Sequence, residues 1–384
     1  MLCLLLFSLW LTIVGANYPS ALLARLFDAL GNLLSELLTF ISTPAWLHGI
    51  LIDGVYRVLA FIVSVMLPPM AIFFPLFTLL EDVGYLPRIA YNLDRPFNSC
   101  GSCGKQALTM CMGLGCNAAG VVGCRIIDSP RERLLSVLTN SFVPCNGRFP
   151  TLIAIITVFF AVSGSSFIPA IILTGLILLG IIVTFGMTKL LSVTLFKGER
   201  GVFALELPPF RAPRVGRVIV RSIFDRTLFV LGRAVIVAAP AGALIWLMAN
   251  VTVGDVSILA HASSLLDPIG RIMGLDGVIL LGFILGFPAN EIVLPIIIMT
   301  YTASGVISDV GSHLQIGALL TANGWTTVTA VCFMIFSIFH WPCSTTVLTV
   351  KKETGSLKAT LLSVLLPTLI GFLICVMINL IARI

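Results

Sequence analysis

Charged residues are scarce in this chain of 384 residues. Asp, Glu, Lys and Arg together make up 10% of it, whereas hydrophobic residues make up 58% and the mean hydropathy is +1.09. A soluble domain carries roughly a quarter charged residues, so there is too little charge here to cover a surface in water. The composition excludes a soluble domain and predicts an all-α, polytopic transmembrane helical bundle.

Apolar runs long enough to cross a bilayer recur along the chain. The first run has no basic segment before it and only a weak cleavage site, so we interpret it as a first transmembrane helix without its cytoplasmic lead-in, not as a signal peptide. A weaker, amphipathic helix is expected at 29–43. The spanning candidates are 1–14, 55–80, 150–163 with a lead-in from 134, 167–190, 228–249, 277–300, 316–338 and 359–382.

Basic residues are concentrated in the middle of the chain. From Lys197 to Arg233 there are eight Lys or Arg against three acidic residues. Positive charge marks the cytoplasmic loops of membrane proteins, so we interpret 191–227 as a basic cytoplasmic linker with an amphipathic segment, and we do not expect nucleic-acid binding. The predicted domains are a first transmembrane half at 1–190, this linker, and a second transmembrane half at 228–384.

A glycine-rich stretch, CMGLGCNAAG (111–120), lies between apolar segments of the first half. Basic residues flank it on both sides, so both of its ends are expected in the cytoplasm. A segment that begins and ends on one side does not cross the membrane, and we therefore predict that 105–124 is re-entrant. Irregular backbone at membrane depth is tolerated only where protein or a wet cavity surrounds it.

The second half has a matching pattern. No Lys or Arg occurs between Arg271 and Lys351, so the loop at 301–314 is expected outside the cell, and LGFPANEIVLP (285–295) contains two prolines. We predict a second broken element that enters from the opposite face. A Pro-Cys interruption follows each Asn-bearing break, in VPCNGRFP and in WPCSTTV. Inverted halves with discontinuous helices are typical of transporter sites. The Gate motifs are predicted at 105–163 and 280–350, and the backbone breaks at Gly113, Gly115, Pro144, Pro288, Pro295 and Pro342.

Thiols, amides and a carboxylate fall at these breaks. Together they have intermediate softness, which suits a divalent transition metal better than an alkali ion or an organic solute. An ionisable group at membrane depth is functional by default because its burial is costly, and Glu291 is the clearest case. Of the four histidines, only His340 lies near the expected path. The predicted metal ligands are Cys116, Asn117, Cys145, Asn290, Glu291 and Cys343.

The remaining cysteines carry weaker signals. Ten cysteines that lie mostly in or beside apolar segments do not suit a disulfide scaffold. CGSC (100–103) is an isolated CxxC that fits half a zinc site or a redox pair, and we predict an accessory metal site at Cys100, Cys103 and Cys111. GSCGKQ (101–106) lacks the spacing of a phosphate-binding loop. We therefore expect no nucleotide site, no cofactor site and no enzymatic activity in this chain.

Five stretches of the sequence carry a family resemblance. They are LIDGV (51–55), LEDVGYLPRIAYNLDR (80–95), GLGCNAAG (113–120), RERLLSVLTNSFVPCNGRFP (131–150) and FHWPCSTTVLTVKKETGSLK (339–358). Together they resemble the membrane domain of FeoB, the bacterial ferrous-iron transporter family. The resemblance implies a permease for Fe²⁺ in the bacterial cytoplasmic membrane, built from two Gate-type halves. The family's motifs on the iron path map onto Cys116 and Asn117, onto Cys145, onto Ala289, Asn290 and Glu291, and onto Pro342 and Cys343.

The chain departs from the family pattern in several places. Ala118 and Ala119 replace the usual Val-Pro, and Asn290 stands where Lys is common. The family normally begins with a cytoplasmic G-protein domain, so we expect either a membrane-domain fragment or a GTPase on a separate polypeptide. The resemblance implies as partners the lipid bilayer, that G-protein domain or GTPase, small cytosolic Feo accessory proteins and a second copy of the chain. Residues 197–227 are the expected docking surface for the GTPase.

Two other functions fit parts of the sequence. One is a Gate-type transporter of a nucleoside or another organic solute, which would call for a roomier, aromatic-lined site. The other is a membrane thiol oxidoreductase that uses Cys100 and Cys103, which would need a nearby quinone and a second exchanging thiol pair. The sequence shows neither a quinone site nor a second exchanging thiol pair.

Overall fold

The computed structural model describes residues 2–160, 167–196, 215–254, 256–306 and 313–383. These residues are almost entirely helical, which confirms the predicted all-α bundle. The α-helices are α1 (Leu2–Phe40), α2 (Ala45–His48), α3 (Arg57–Asp82), α4 (Tyr85–Ser99), α5 (Lys105–Gly115), α6 (Asn117–Gly123), α7 (Pro130–Thr139), α8 (Phe149–Phe160), α9 (Phe167–Thr194), α10 (Val215–Arg221), α11 (Leu228–Asn250), α12 (Ile258–Ile272), α13 (Gly277–Leu285), α14 (Val293–Thr302), α15 (His313–Ala322), α16 (Thr327–Phe339), α17 (Ser344–Thr354) and α18 (Leu357–Arg383).

Shorter elements connect these helices. Two π-helices and four 3₁₀-helices lie at bends and breaks, and the strands β1 and β2 form an antiparallel pair in which Thr252 faces Ser257. The π-helices are Gly49–Tyr56 and Ser222–Thr227, the 3₁₀-helices are Cys124–Ile126, Asn140–Phe142, Asn146–Arg148 and Asn290–Ile292, and the strands are β1 (Thr252–Val253) and β2 (Val256–Ser257).

The length and composition of the helices are those of a multi-pass membrane protein. Within the described ranges, six helical segments are long and apolar enough to cross a membrane, and α12 with α13, which meet at 110°, would make a seventh span. The six segments are Ala45–Leu80, Pro130–Phe160, Ile168–Thr194, Val230–Asn250, Thr327–Thr354 and Leu357–Arg383.

Three predicted spans are merged with a neighbour or divided in the structure: 1–14, 277–300 and 316–338. Residues 161–163 of the predicted span 150–163 lie outside the described residues. The first of the three is part of α1, which ends at Phe40 and also contains 29–40 of the predicted amphipathic helix 29–43, because Pro19 does not interrupt the helix. The second is divided between α13 and α14. The third is divided between α15 and α16 at Gly324, whose left-handed φ of 82° ends the helix before it.

Side-chain caps determine where several of the central helices begin. Ser129 accepts a hydrogen bond from the backbone N–H of Glu132 at the start of α7. Asp276 accepts one from Ile279 at the start of α13, at 2.6 Å. Such caps typically contribute about 1 kcal/mol each, so these short helices have defined first residues even though breaks interrupt the spans.

The first glycine-rich stretch forms a hairpin of two short helices. Helices α5 and α6 pack side by side, with Cys116 between them. Lys105 at the start of α5 lies 2.5 Å from the carboxylate of Asp128, which follows the hairpin. The two ends of the hairpin therefore meet, which confirms that 105–124 turns back on itself.

The second half contains an equivalent hairpin. Helices α13 and α14 pack against each other, and the hydroxyl of Tyr301 in α14 donates a hydrogen bond to the carboxylate of Asp276 at the start of α13. The indole N–H of Trp325 donates to the same hydroxyl at 2.9 Å. The ends of this hairpin are thus also joined by polar side chains.

The base of each hairpin has the same local structure. Asp94 of α4 accepts a hydrogen bond from the backbone N–H of Gly104 at 2.7 Å, and Asp267 of α12 accepts one from Gly277 at 3.0 Å. In both places a Cβ on the glycine would lie within about 2 Å of the carbonyl oxygen one turn before the Asp, so only glycine fits there. The repeat confirms that both halves contain the same supersecondary unit.

The largest hydrophobic core surrounds the Pro-Cys interruption of each half. It contains buried residues of α7, α8, α13, α14, α16 and α18. Phe142 and Phe339, which precede the two Pro-Cys interruptions, lie with ring centroids 6.3 Å apart. Phe283 of α13 packs edge-on against Phe336, at 4.9 Å. The core therefore fixes both interruptions next to each other.

A close contact joins the first π-helix to α11. The carbonyl oxygen of Gly54 lies so near Gly242 that a Cβ there would be 2.4 Å away, and a Cβ on Gly49 would lie 2.2 Å from the Trp246 ring. The lack of a side chain at these glycines lets the two backbones touch. A π-turn is rare and is often retained for packing or function.

We expect Gly242→Ala to destabilise the protein. The added methyl group would force α11 away from the carbonyl of Gly54, and overpacking of this kind typically costs about 1–3 kcal/mol. That cost exceeds the gain of up to about 1 kcal/mol in helix propensity. A lower Tm in detergent, followed by intrinsic fluorescence, would be the expected result.

Gly232→Ala is the matched control for this prediction. Gly232 lies in the same helix, but a Cβ there would meet no atom of the described structure within 4 Å. The Tm of this variant should be unchanged or slightly higher. An equal Tm for both variants would contradict the prediction, because it would mean that the contact between α11 and the π-helix does not limit stability.

Candidate metal site where the helix breaks meet

The first break is a single extended residue between α5 and α6. Cys116 has φ −154° and ψ 123°, and it is buried. The side-chain amide of Asn117 lies between the carbonyl oxygens of Gly113 and Val143, so its NH₂ group belongs on their side, where it donates to both at 3.0 and 3.1 Å. The amide of Asn140 donates in turn to the backbone carbonyl of Asn117, at 2.9 Å. The first break is therefore held to the Pro-Cys interruption of its own half.

The glycines beside Cys116 permit close packing and are not themselves the break. Gly113 and Gly115 lie in the last turn of α5, which corrects the prediction that the helix breaks at them. A Cβ on Gly113 would lie 2.6 Å from the side-chain oxygen of Asn140, and one on Gly115 would lie 2.2 Å from the ring of Phe73. These glycines make room for side chains that hold the hairpin.

The first Pro-Cys interruption is an extended link between two 3₁₀-helices. Pro144 lies in its middle, as predicted, and supplies no backbone donor. Cys145 is buried. Gly147 faces the second half of the protein, since a Cβ there would lie 2.2 Å from a carboxylate oxygen of Glu291. This interruption is therefore one of the points where the two halves come into contact.

The second Asn-bearing break has nearly the same backbone as the first. Pro288 lies in its non-helical part, as predicted. Ala289 has φ −153° and ψ 129°, close to the values of Cys116, and Asn290 follows it. Pro295 instead lies in the first turn of α14, where a missing N–H is tolerated, so the prediction of a break at this proline is wrong.

The second Pro-Cys interruption is bonded to this break. The segment from His340 to Cys343 is non-helical, which confirms the predicted break at Pro342. The backbone N–H of Ser344 donates to the carbonyl of Phe287 at 2.8 Å, and its hydroxyl donates to the next carbonyl at 3.1 Å. In both halves the Asn-bearing break is thus hydrogen-bonded to the interruption that follows it.

The predicted metal ligands come together from these four breaks. The thiols of Cys116, Cys145 and Cys343 lie within electrostatic range of one another, and Glu291 lies within range of the last two. The amide nitrogen of Asn290 lies 4.0 Å from the sulfur of Cys145. In the part of the chain that is described, no three His, Cys, Asp or Glu side chains converge closely enough to hold a metal. The ligands are neighbours but do not form a closed cage.

Sequence reasoning missed Arg148, a charged residue at the centre of this region. It is 1% exposed, and its guanidinium donates to the carbonyl oxygens of Ile338 and His340 in the second half. Its Nε has no hydrogen-bond partner among the described residues. Glu291 is close enough to interact with this charge, and a buried charge is costly unless it is paired. The two side chains lie within electrostatic range of each other, although they form no ion pair within 4 Å.

The three cysteines of the predicted accessory site are not assembled into a metal site. All three are free thiols, and the described residues bring no group of three ligands together around them. Burial, and then the carboxylate of Glu132, raise the pKa of the Cys103 thiol to about 12. Cys111 packs against the phenylalanines of α3. A protonated thiol is a poor nucleophile.

Arg148→Met should be strongly destabilising. The substitution leaves the buried carboxylate of Glu291 without the positive charge in its electrostatic range, a loss of about 3–5 kcal/mol where two buried charges are paired. It also removes the donors to two carbonyl oxygens of the second half. We expect a lower Tm in detergent and unfolding at a lower SDS fraction in mixed micelles.

A double-mutant cycle with Glu291→Gln separates the charge effect from the lost hydrogen bonds. If Glu291 is the counter-ion, Arg148→Met with Glu291→Gln should be less destabilised than the sum of the two single variants. Strict additivity would contradict the pairing and would leave only the hydrogen bonds to explain the loss.

The sequence is similar to those of known membrane proteins. The family described as Gate, nucleoside recognition, matches residues 63–160 and 231–357, and the family described as ferrous iron transport protein B C terminus matches 173–225. Each Gate match contains one of the hairpins and the Pro-Cys interruption that follows it.

Curated relatives named Fe(2+) transporter FeoB match most of the chain. The protein from Staphylococcus aureus strain MSSA476 is 26% identical over 381 residues, which cover 96% of this chain and 54% of the relative. The Synechocystis protein is 30% identical over 348 residues, covering 89% and 54%. The Methanocaldococcus jannaschii protein is 26% identical over 365 residues, covering 91% and 52%. No solved structure shows a significant match.

The chain spans about half the length of the relatives that it matches. The Gate matches cover more than half of this chain, and the duplicated hairpins lie within them. This chain belongs to the Gate family and corresponds to the membrane part of FeoB proteins.

Proposed function

We propose that this chain conducts Fe²⁺ across the bacterial cytoplasmic membrane through the region where its helix breaks meet. The main support is the gathering of three thiols and a carboxylate, those of Cys116, Cys145, Cys343 and Glu291, at the breaks of a multi-pass protein. Ionisable groups at membrane depth are costly and mark ion pathways. The relatives that match most of the chain are named Fe(2+) transporters, which supports Fe²⁺ as the cation.

The chemistry of the breaks suits a partly dehydrated divalent metal. Fe²⁺ would exchange part of its water for thiols and amide oxygens of intermediate softness. Cys116, Asn117 and Cys145 would serve the first gate, and Asn290, Glu291 and Cys343 the second. Conduction requires ligands that bind strongly enough for entry and weakly enough for release, and the lack of a closed cage among the described residues is consistent with this requirement.

The fixed charges of the region bear on how the cation is accommodated. Arg148 places a fixed positive charge within electrostatic range of Glu291, so a bound Fe²⁺ needs negative charge beyond that carboxylate. Thiols bind metals as thiolates, and the three cysteines can supply that charge by releasing protons. We therefore expect metal entry to be accompanied by proton release.

We propose that a G-protein domain, in the same polypeptide or a separate one, controls the gate. The docking surface is proposed at 197–227, within the basic linker 191–227. Residues 197–214 lie outside the described residues, and the described remainder of that surface forms α10 and a π-helix. Regulation of this kind requires two states of the membrane part with different contacts to the G domain. Accessory proteins and a homo-oligomer stay predictions.

The two other candidate functions receive different support. The Gate family is described by nucleoside recognition, so a nucleoside competitor belongs in the test of transport. A thiol oxidoreductase is disfavoured, since the pKa of Cys103 is raised to about 12 and its thiol is buried.

Cys116→Ser should abolish Fe²⁺ influx. We would reconstitute the chain in liposomes and follow anaerobic influx of Fe²⁺, with Mn²⁺, Zn²⁺ and uridine as competitors. Serine keeps the size of the side chain but removes the soft sulfur, so influx should fall to the level of empty vesicles. Uridine should not compete.

Cys375→Ser is the matched control, because Cys375 is a buried thiol inside the unbroken helix α18. Its influx should equal that of wild type. Full influx through Cys116→Ser would contradict a path at the first break. Uridine uptake with no metal influx would favour the alternative function, transport of a nucleoside or another organic solute. If wild type conducts only after a separately purified G domain and GTP are added, the gating proposal is supported.

A further inference from the structure

His340 is a buried histidine at the second Pro-Cys interruption. It is 1% exposed and directly follows α16. Aromatic rings surround its imidazole, with the ring centroid of Phe283 at 4.8 Å, that of Trp341 at 5.8 Å and that of Phe336 at 6.1 Å. The orientation of the imidazole is therefore fixed by packing, as a preorganised ligand requires.

One ring nitrogen of His340 is committed to the backbone. Nδ1 lies 3.1 Å from the carbonyl oxygen of Phe336 and 2.9 Å from that of Ser337. Both partners are acceptors only, so Nδ1 carries the proton and donates it. Metal-binding histidines commonly donate their second N–H to a backbone carbonyl in this way, which fixes the tautomer and aims the other nitrogen.

The other ring nitrogen faces a polar side chain at the second Asn-bearing break. Nε2 lies 3.2 Å from the side-chain oxygen of Asn290. Protonation of both ring nitrogens would add a second positive charge beside Arg148, whose guanidinium donates to the backbone carbonyl of His340. With the ring neutral, Nε2 and the amide oxygen are two lone-pair donors that face each other.

Two lone-pair donors at this separation suit a shared cation. Metal–ligand bonds of about 2.0–2.1 Å place neighbouring ligand atoms about 2.8–3.0 Å apart in octahedral geometry and about 3.3–3.4 Å apart in tetrahedral geometry, and the observed 3.2 Å lies between these values. The sulfur of Cys145 lies 4.0 Å from the nitrogen of the same amide. An imidazole and a thiol thus lie on either side of the Asn290 amide, where the two halves are in contact.

We propose that His340 is a ligand of the transported metal and that it binds with Asn290 and Cys145. The inference rests on the proposed function and adds a nitrogen ligand to it. Imidazole together with a thiol favours borderline transition metals and disfavours Mg²⁺ and Ca²⁺, which prefer oxygen ligands. His340 is thereby a determinant of metal selectivity as well as a ligand.

A purely structural histidine is the alternative to this role. Such a residue would cap the carbonyls at the end of α16 through Nδ1 and fill the aromatic pocket. That role needs only Nδ1, and with the Asn290 amide turned over its NH₂ group would donate to Nε2 across the same 3.2 Å. The two roles differ in whether a metal–nitrogen bond forms, and this bond can be measured directly.

The test uses Co²⁺ as a spectroscopic substitute for Fe²⁺, because the two metals are adjacent in ligand preference. The purified full chain in detergent is titrated anaerobically, and the sulfur-to-metal charge-transfer band reports thiolate binding. His340→Gln should weaken Co²⁺ binding on the order of 10- to 100-fold. His340→Cys, which replaces one ligand by another, should bind Co²⁺ with a stronger sulfur band. His261→Gln, at an exposed histidine of α12, should equal wild type.

X-ray absorption spectroscopy keeps the test decisive if the His340 variants fail to fold. A variant in which His48, His261 and His313 are replaced by Gln has His340 as its only histidine. With Co²⁺ bound, this variant and wild type should both show the outer-shell scattering of an imidazole ligand. A Co²⁺ spectrum with sulfur scattering but no imidazole scattering would overturn the role of His340 and leave the proposed metal path intact. Equal Co²⁺ affinity of wild type and His340→Gln would have the same meaning. No Co²⁺ binding by wild type would overturn both.

Discussion

A helix break inside a membrane frees backbone N–H and C=O groups that lipid cannot satisfy, and the architecture of this protein depends on how they are paired. In each half, the Asn-bearing break is bonded to the Pro-Cys interruption that follows it. Asn117 bonds to Val143 in the first half, and Ser344 bonds to Phe287 in the second. No break is stable alone, so the irregular segments must lie together at one place in the bundle.

This mutual dependence also determines where charge can be buried. The guanidinium of Arg148 donates to carbonyl oxygens that the end of α16 leaves free, and Glu291 lies within electrostatic range of its charge. A side chain from one half thereby satisfies backbone groups of the other. Because these hydrogen bonds link the halves, relative movement of the halves must either carry Arg148 along or leave its buried charge without these acceptors, which is costly.

The sequence was sufficient for the fold class, for a segment at 105–124 that turns back on itself and for the breaks at the two Pro-Cys motifs. Apolar length, flanking charge and proline chemistry determine these features locally. The roles of Gly113 and Gly115 could not be read from the sequence, since they depend on distant partners such as Phe73. Arg148 could have been found, because it is the only charged residue between positions 133 and 189.

The backbone repeat has a chemical consequence. The triplets Cys116-Asn117-Ala118 and Ala289-Asn290-Glu291 occupy equivalent positions of the two hairpins, with matching dihedral angles at their first residues. Both triplets keep the central Asn. The first has a thiol one residue before the Asn, and the second has a carboxylate one residue after it. A duplicated scaffold has thus lost its chemical two-fold symmetry. A cation on the proposed path would therefore meet a thiol beside one amide and a carboxylate beside the other, and inward and outward movement would meet these groups in opposite order.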